Sequence, residues 1–241
     1  MENKFISLPL LKEKAAAYGV KLDEKALERF DIYAKLLVEW NEKINLTAIT
    51  DPEGIVIKHF TDSLTIFSAV DIPQNSKVID VGTGAGFPGI PMLIARPDLD
   101  ITLMDSTNKR LTVIKDILEK IGLSANVVHA RAEEAGKSAD FREKYDFSTA
   151  RAVSNLRDLS EYCLPFVKVG GAFVSMKGAK AEEEIAEAEK AVRILGGKIK
   201  EKKTFDLFDC GERTIITIEK ISSTPAKYPR PSAKIAKNPI R

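Results

Sequence analysis

A short apolar run, Lys77–Val81, opens onto Gly82-Thr83-Gly84-Ala85-Gly86, and a second apolar run, Ile101–Met104, ends on a carboxylate, Asp105. This pairing restricts the chain to few folds. Residues without a Cβ let the main chain turn through positive φ and come close to a ligand. A glycine turn after one strand and an acid at the tip of the next form the nucleotide-binding arrangement of an open α/β sheet, in which the acid accepts hydrogen bonds from ribose hydroxyls. Gly82, Gly84 and Gly86 are therefore the expected cradle and Asp105 the expected sugar acid. The competing reading of Asp105 is an N-cap for the helix predicted over 107–121.

Two ligand classes fit, a dinucleotide such as NAD and S-adenosylmethionine. A dinucleotide site wants G-x-G-x-x-G with the pyrophosphate on the helix N-terminus. Here the spacing is G-x-G-x-G followed by Phe87-Pro88-Gly89, and Pro88 lacks the N–H that a pyrophosphate would use. Asp80 precedes the turn; its charge would repel a pyrophosphate and suit the ammonium and sulfonium of S-adenosylmethionine. Alternatively, Asp80 only caps the turn. The sequence favours S-adenosylmethionine, with a nicotinamide-dependent oxidoreductase and a non-catalytic RNA-binding factor on the same fold as the other functional readings.

From residue 77 the pattern alternates. Strands are predicted at 77–82, 100–105, 125–130, 145–150 and 171–177, and helices near 87–95, 107–121, 156–168 and 180–195, which implies a mostly parallel sheet. Lys198–Leu207 and Arg213–Lys220 have no helix between them and should pair as an antiparallel hairpin. The result is an α/β fold matching the Rossmann-like, seven-stranded, mostly parallel sheet of class I S-adenosylmethionine-dependent methyltransferases. Residues 1–71 read as a small N-terminal helical extension, 72–221 as the core and 222–241 as a tail. In the extension, Asp23 is a predicted N-cap, Leu27, Phe30, Leu36, Leu37, Trp40 and Ile44 share a helix face, and Asp51-Pro52 opens a second helix.

Composition narrows the classes further. Of 241 residues 44% are hydrophobic, enough for a packed core. Two cysteines without CxxC spacing and two histidines give no disulfide framework and no metal cluster. The longest uncharged run, Val81 to Ala95, is too short and too rich in Gly and Pro to span a bilayer. A cytoplasmic monomer is expected. The net charge of +2 is unevenly spread: beyond Glu219 the charged residues are all basic, including Lys227, Arg230, Lys234 and Lys237. With Pro225, Pro229, Pro231 and Pro239 among them, the tail should be extended and poorly helical. It reads as a solubilising tail or as an arm along a phosphate backbone; in the second case its removal weakens RNA binding and spares cofactor binding.

Ligands of such sheets sit at the strands' carboxyl ends. Ala132-Glu133, after the third strand, falls where an adenine edge should lie, though Glu133 is equally a first-turn helix acid. Phe87 flanks the cofactor or the core. Arg131, Arg151, Lys177 and Arg213 border the same mouth and suit phosphates, though Arg151 equally suits the cofactor loop or a carboxylate. His59, Asp62 and Ser63 share a helix face, as a hydrogen-bond network or as substrate contacts. After the fourth strand, Ser148–Val153 carries neither a polar-Pro-Pro-aromatic clamp nor a Pro-Cys nucleophile. An Arg remains there, and Arg is no base; a ring nitrogen with a free lone pair is a compatible acceptor.

Asp80–Pro91 (DVGTGAGFPGIP), Asp105-Ser106 with Lys109-Arg110, Arg131–Glu134 (RAEE), Ala150–Val153 (ARAV), Trp40–Ile49 (WNEKINLTAI), His59–Leu64 (HFTDSL) and the tail segments Tyr228–Arg230 and Asn238–Ile240 occur in order. On these motifs the chain resembles the family of bacterial small-subunit rRNA methyltransferase G, also called glucose-inhibited division protein B. The resemblance implies methylation of N7 of one guanine in 16S rRNA, with S-adenosylmethionine as donor and the rRNA or the small ribosomal particle as partner. It places cofactor contacts on Gly82, Phe87, Ala132, Glu133 and Arg151. No catalytic base is implied. The 7-methylguanine product is cationic, so a carboxylate or acceptor should lie nearby; Asp80, Asp62 and Asn45 are the candidates.

Overall fold

The computed structural model describes residues 4–151 and 154–240; Ala152 and Val153 of the ARAV motif, and Arg241, lie outside the described residues. The strands are β1 (Lys77–Val81), β2 (Asp100–Asp105), β3 (Asn126–His129), β4 (Tyr145–Arg151), β5 (Val167–Lys177), β6 (Gly197–Asp206) and β7 (Glu212–Lys220). They form one 7-stranded sheet in the order β3-β2-β1-β4-β5-β7-β6. β1 lies parallel to β2 and β4, and β7 is antiparallel to both β5 and β6, as the terminal hairpin requires. The strand order reverses between β1 and β4. Diverging crossovers open a crevice at such a switch point, and the glycine turn sits there.

β1 and β2 are buried along nearly their whole length, which is why they read as continuous apolar runs rather than alternating ones. The predicted helix over 156–168 stops at Cys163. Pro165 cannot continue an α-helical ladder, so Leu164–Phe166 tightens into a 3-10 turn and β5 starts at Val167, earlier than expected. Gly171 permits this start, because a Cβ there would collide with the Asp146 carbonyl oxygen.

Before the sheet, Asp23 caps the helix Glu24–Asn41 by accepting from Ala26 N–H at 2.7 Å, and Asp51 accepts from Gly54 N–H at 2.6 Å. The chain then widens into a π-helix, Ile55–Thr61. Such turns are rare and concentrate at functional sites. Here it carries His59 toward the sheet. Leu27, Phe30, Tyr33 and Leu37 pack with Val78, Leu103 and Ile114 in one hydrophobic core, so the N-terminal helices cover one face of the sheet. Trp40 is half-buried and donates its indole N–H to Asp116 at 2.7 Å, joining that cover to the helix Asn108–Ile121.

The opposite face packs Ile79, Leu159, Phe166 and Phe173 together with Tyr228 and Ile240 of the tail. The tail is thus neither extended throughout nor free: it holds a short helix, Ser232–Lys237, and buries Ile235. Alternating Lys and Pro concealed the apolar anchors Tyr228, Ile235 and Ile240 that dock it.

Gly86 has φ +106°, and a Cβ there would lie 2.5 Å from Ile90 Cδ1 and 2.8 Å from the Tyr33 hydroxyl. Gly86→Ala is expected to lower the unfolding free energy by about 2 kcal/mol or more in a urea titration. A loss below about 0.5 kcal/mol would contradict this packing.

Candidate cofactor and acceptor site

The turn after β1 is held from behind. Asp80 is fully buried; it accepts from the Thr83 hydroxyl at 2.6 Å and from Gly89 N–H at 3.0 Å, and the Thr149 hydroxyl lies at 3.4 Å. The structure corrects two expectations. Asp80 lies beneath the turn, fully buried on Thr83, Gly89 and Thr149, and lines none of the cavities described here, so neither a ligand ammonium nor a product cation has open access to it. Gly86 likewise serves packing, since its missing Cβ faces Tyr33 and Ile90 rather than the crevice. The Gly89 N–H, at the start of the helix Gly89–Ala95, is already consumed by Asp80, so a pyrophosphate has no helix terminus to bind. Burial pushes the Asp80 carboxyl up to about 6, against the opposing pull of its hydrogen bonds to Thr83 and Gly89.

Gly84 has the opposite exposure. It sits at φ +61° and nothing comes closer to its absent Cβ than the Gly82 carbonyl oxygen at 4.0 Å, so a side chain would project into the crevice. Its N–H donates to Asp105 at 3.0 Å, and the second Asp105 oxygen accepts from Thr107 N–H at 2.8 Å. Each carboxylate oxygen has two acceptor positions. Asp105 therefore orders the turn and the helix start; Arg110 lies 3.5 Å from the oxygen that Gly84 binds, and the carboxylate keeps an acceptor position for a ribose hydroxyl on the oxygen that Thr107 binds.

A cavity of about 290 Å³ extends from Gly82 and Asp105 past Ala132 and Glu133 to Tyr162, and a second of about 410 Å³ runs over the turn from Asp105 to Phe87, His59 and Arg151. They share Gly82, Asp105 and Ser106, so they form one groove across the strand tips. These residues fit S-adenosylmethionine: a bare turn for the amino-acid end, a buried acid for the ribose, and a small residue, Ala132, beside the adenine position.

At its far end the groove meets a cavity of about 590 Å³, with His59 and Arg151 lining both. The Arg151 guanidinium lies 4.7 Å from the Phe87 ring centroid and donates to Asp62 at 2.8 Å. Arg213 approaches the other Asp62 oxygen at 3.2 Å. Asp62 is thus clamped between two cations and is not free to stabilise a third. The His59 ring stacks on Phe87 at 4.5 Å, and its Nε2 lies 2.8 Å from the Thr47 hydroxyl. Burial, then the neighbouring Arg151, push His59 down to about 4, so the imidazole is neutral near pH 7. Ser63 spends its hydroxyl on the His59 carbonyl. Asn45 is exposed and lines none of the cavities described here.

The expected phosphate contacts divide. Arg131 keeps 61% of its side chain exposed. Lys227, Lys234 and Lys237 are exposed on the tail. Lys177 is instead buried against Glu184 at 2.8 Å and the Ser154 carbonyl, and Arg230, half-buried, pairs with the buried Glu161 at 2.7 Å. Both are structural cations, because a guanidinium or ammonium already desolvated on a carboxylate has little to gain from a phosphate. Sequence reading overlooked Lys58, exposed at the rim of the large cavity; only its place one residue before His59 pointed there.

The strand order and the groove over the switch point, with a carboxylate at the tip of β2, define a class I S-adenosylmethionine-dependent methyltransferase. Solved structures agree on the fold: a SAM-dependent O-methyltransferase from Thermotoga maritima superposes with a TM-score of 0.53 at 16% identity, covering 77% of this chain and 71% of that one. TrmN from Thermus thermophilus gives 0.52 at 15% identity, covering 69% and 53%. The family model for rRNA small subunit methyltransferase G matches residues 26–214. The ribosomal RNA small subunit methyltransferase G of Acetivibrio thermocellus is 49% identical over 243 residues, covering 100% of both chains, and that of Brevibacillus brevis is 48% identical over 230, covering 95% of this chain and 97% of the other. The chain belongs to the rRNA small subunit methyltransferase G family.

Folded Asp80 holds its proton to about pH 6, while the unfolded chain releases it near the ordinary carboxylate value of 3.8. Ionising it therefore costs stability as pH rises through that window. Asp80→Asn keeps the acceptor for Thr83 and Gly89 and should stabilise the ligand-free protein by roughly 1–3 kcal/mol at pH 8, with the gain vanishing near pH 4. Thermal unfolding of both proteins across pH 4–8 checks this; a variant less stable at pH 8 would contradict it.

Proposed function

We propose that the protein methylates N7 of a guanine in 16S rRNA, acting in the cytoplasm as a monomer on the rRNA, free or within a small ribosomal particle. The observation that carries this reading is the meeting of the donor groove and the 590 Å³ cavity at Arg151 and His59, with no competent base among the described residues at the junction. Asp80 is sealed beneath the turn, Asp62 is clamped by Arg151 and Arg213, and His59 is held near 4, too weak a base to deprotonate an amine or hydroxyl. Guanine N7 needs no base, because its in-plane lone pair attacks directly and no proton leaves.

When bound, S-adenosylmethionine supplies an electrophilic methyl group on a sulfonium. Gly82, Gly84 and Phe87 hold its amino-acid end, Asp105 accepts from the ribose hydroxyls, and Ala132 and Glu133 meet the adenine. Arg151, fixed on Asp62 and stacked on Phe87, forms the wall between donor and acceptor. Alignment, rather than acid–base chemistry, is what these residues contribute. The exposed cations Lys58, Arg131, Lys227, Lys234 and Lys237 ring the mouth and the adjoining tail, where they neutralise RNA phosphates, with Arg213 adding a partly exposed guanidinium.

The test uses 16S rRNA transcripts and small-subunit particles with radiolabelled S-adenosylmethionine. Unmodified substrate should take up label as 7-methylguanine, and transcripts made with 7-deazaguanosine should take up none. Equal labelling of the 7-deaza transcript would refute N7 as the acceptor. Replacing Lys58, Arg131 and Lys234 together should flatten the salt dependence of RNA binding by about two to three units of log–log slope; an unchanged slope would show that the RNA lies elsewhere.

A further inference from the structure

The charged tail has two sides. Lys234 and Lys237 are exposed to solvent, but Ser232, at the start of the same short helix, is half-buried and lines the 290 Å³ cavity together with Ala132 and Glu133. That cavity is where the adenine end of the cofactor belongs. Leu159 and Tyr162, on the helix Leu156–Cys163, complete this part of the lining.

The tail is fastened there by groups unrelated to RNA. Arg230 donates through Nε and Nη2 to the Glu161 carboxylate at 2.8 and 2.7 Å, and the Arg230 N–H also reaches Glu161 at 2.8 Å. Glu161 stands between Leu159 and Tyr162 in sequence, so the helix that lines the cavity also anchors the tail. Arg142 gathers the approach by donating to the carbonyls of Thr224 at 2.6 Å, Tyr228 at 2.8 Å and Gly136 at 2.8 Å. Lys220, fully buried, donates to the Thr224 hydroxyl at 2.6 Å and the Leu164 carbonyl at 2.7 Å. A segment fixed at so many points, with its Arg230 spent on Glu161, is built as a wall.

We propose that the C-terminal segment is the outer wall of the adenine subsite, with Ser232 facing the base and the Arg230–Glu161 pair positioning it, so that cofactor binding and tail docking are linked. The inference rests on the S-adenosylmethionine reading of the groove. It departs from the expectation that removing the tail spares cofactor binding. Linkage is reciprocal: an ordered tail tightens cofactor binding, and bound cofactor holds the tail down. Because Lys234 and Lys237 lie on the outer side of the same helix, RNA contact there would also report on the filled subsite.

The test is calorimetric titration of full-length protein with S-adenosylhomocysteine, paired with limited trypsin digestion. Ser232→Phe, which fills the cavity without touching the anchor, and Arg230→Ala should each raise the dissociation constant at least tenfold, as should Asp105→Ala. In the unmodified protein, saturating S-adenosylhomocysteine should slow cleavage at Lys227, Lys234 and Lys237 severalfold. Ser232→Phe binding as tightly as the unmodified protein, with cleavage rates unaffected by ligand while Asp105→Ala binds weakly, would overturn the wall. If Asp105→Ala also binds normally, the cofactor reading of the groove fails, and this inference with it.

Discussion

A carboxylate buried without a cation holds the site together. Asp80 closes β1, receives the hydroxyl of the turn residue Thr83, and takes the first free N–H of the helix Gly89–Ala95; Thr149 on β4 stands beside it. Strand, turn, helix and neighbouring strand therefore meet at one acid. The cost is visible in its raised affinity for a proton. The return is a main-chain bend whose outer side, at Gly84, is bare. A buried polar group that is fully hydrogen-bonded fixes one geometry where an apolar residue would allow several.

A second node couples the N-terminal helices to the sheet. The π-helical widening brings His59 and Asp62 to the tips of β4 and β7, where Arg151 and Arg213 close on Asp62. Phe87, stacked near Tyr33 and His59, joins this node to the glycine turn. The groove over the glycine turn and the 590 Å³ cavity thus share a wall made from three distant parts of the chain. Rigidity there suits a reaction whose main requirement is alignment.

The parts of this design written in local pattern were legible in the sequence. Continuous apolar runs gave β1 and β2, the missing helix between 207 and 213 gave the hairpin, and Asp23 and Asp51 announced their helices. Asp105 was expected at the tip of the second strand, and β2 ends on it. What was hidden depends on partners far away in sequence. Nothing local marks Arg230 as the mate of Glu161, Lys177 as the mate of Glu184, or Arg142 as the clasp of the tail; the first two read as phosphate contacts and the third carried no signal. The π-turn was hidden too, because a single added residue per turn leaves the apolar spacing of Ile55, Ile57 and Phe60 ambiguous. Gly86 was misread because a glycine needed for packing and one needed for a ligand look alike until the neighbour of the missing Cβ is known.

A crystal structure of the protein with S-adenosylhomocysteine tests the account most directly. It should show the ribose hydroxyls on Asp105, the adenine between Ala132-Glu133 and Ser232, and the sulfur facing the cavity beyond Arg151. Ligand density elsewhere, with Asp105 bonded only to Gly84 and Thr107, would contradict the account.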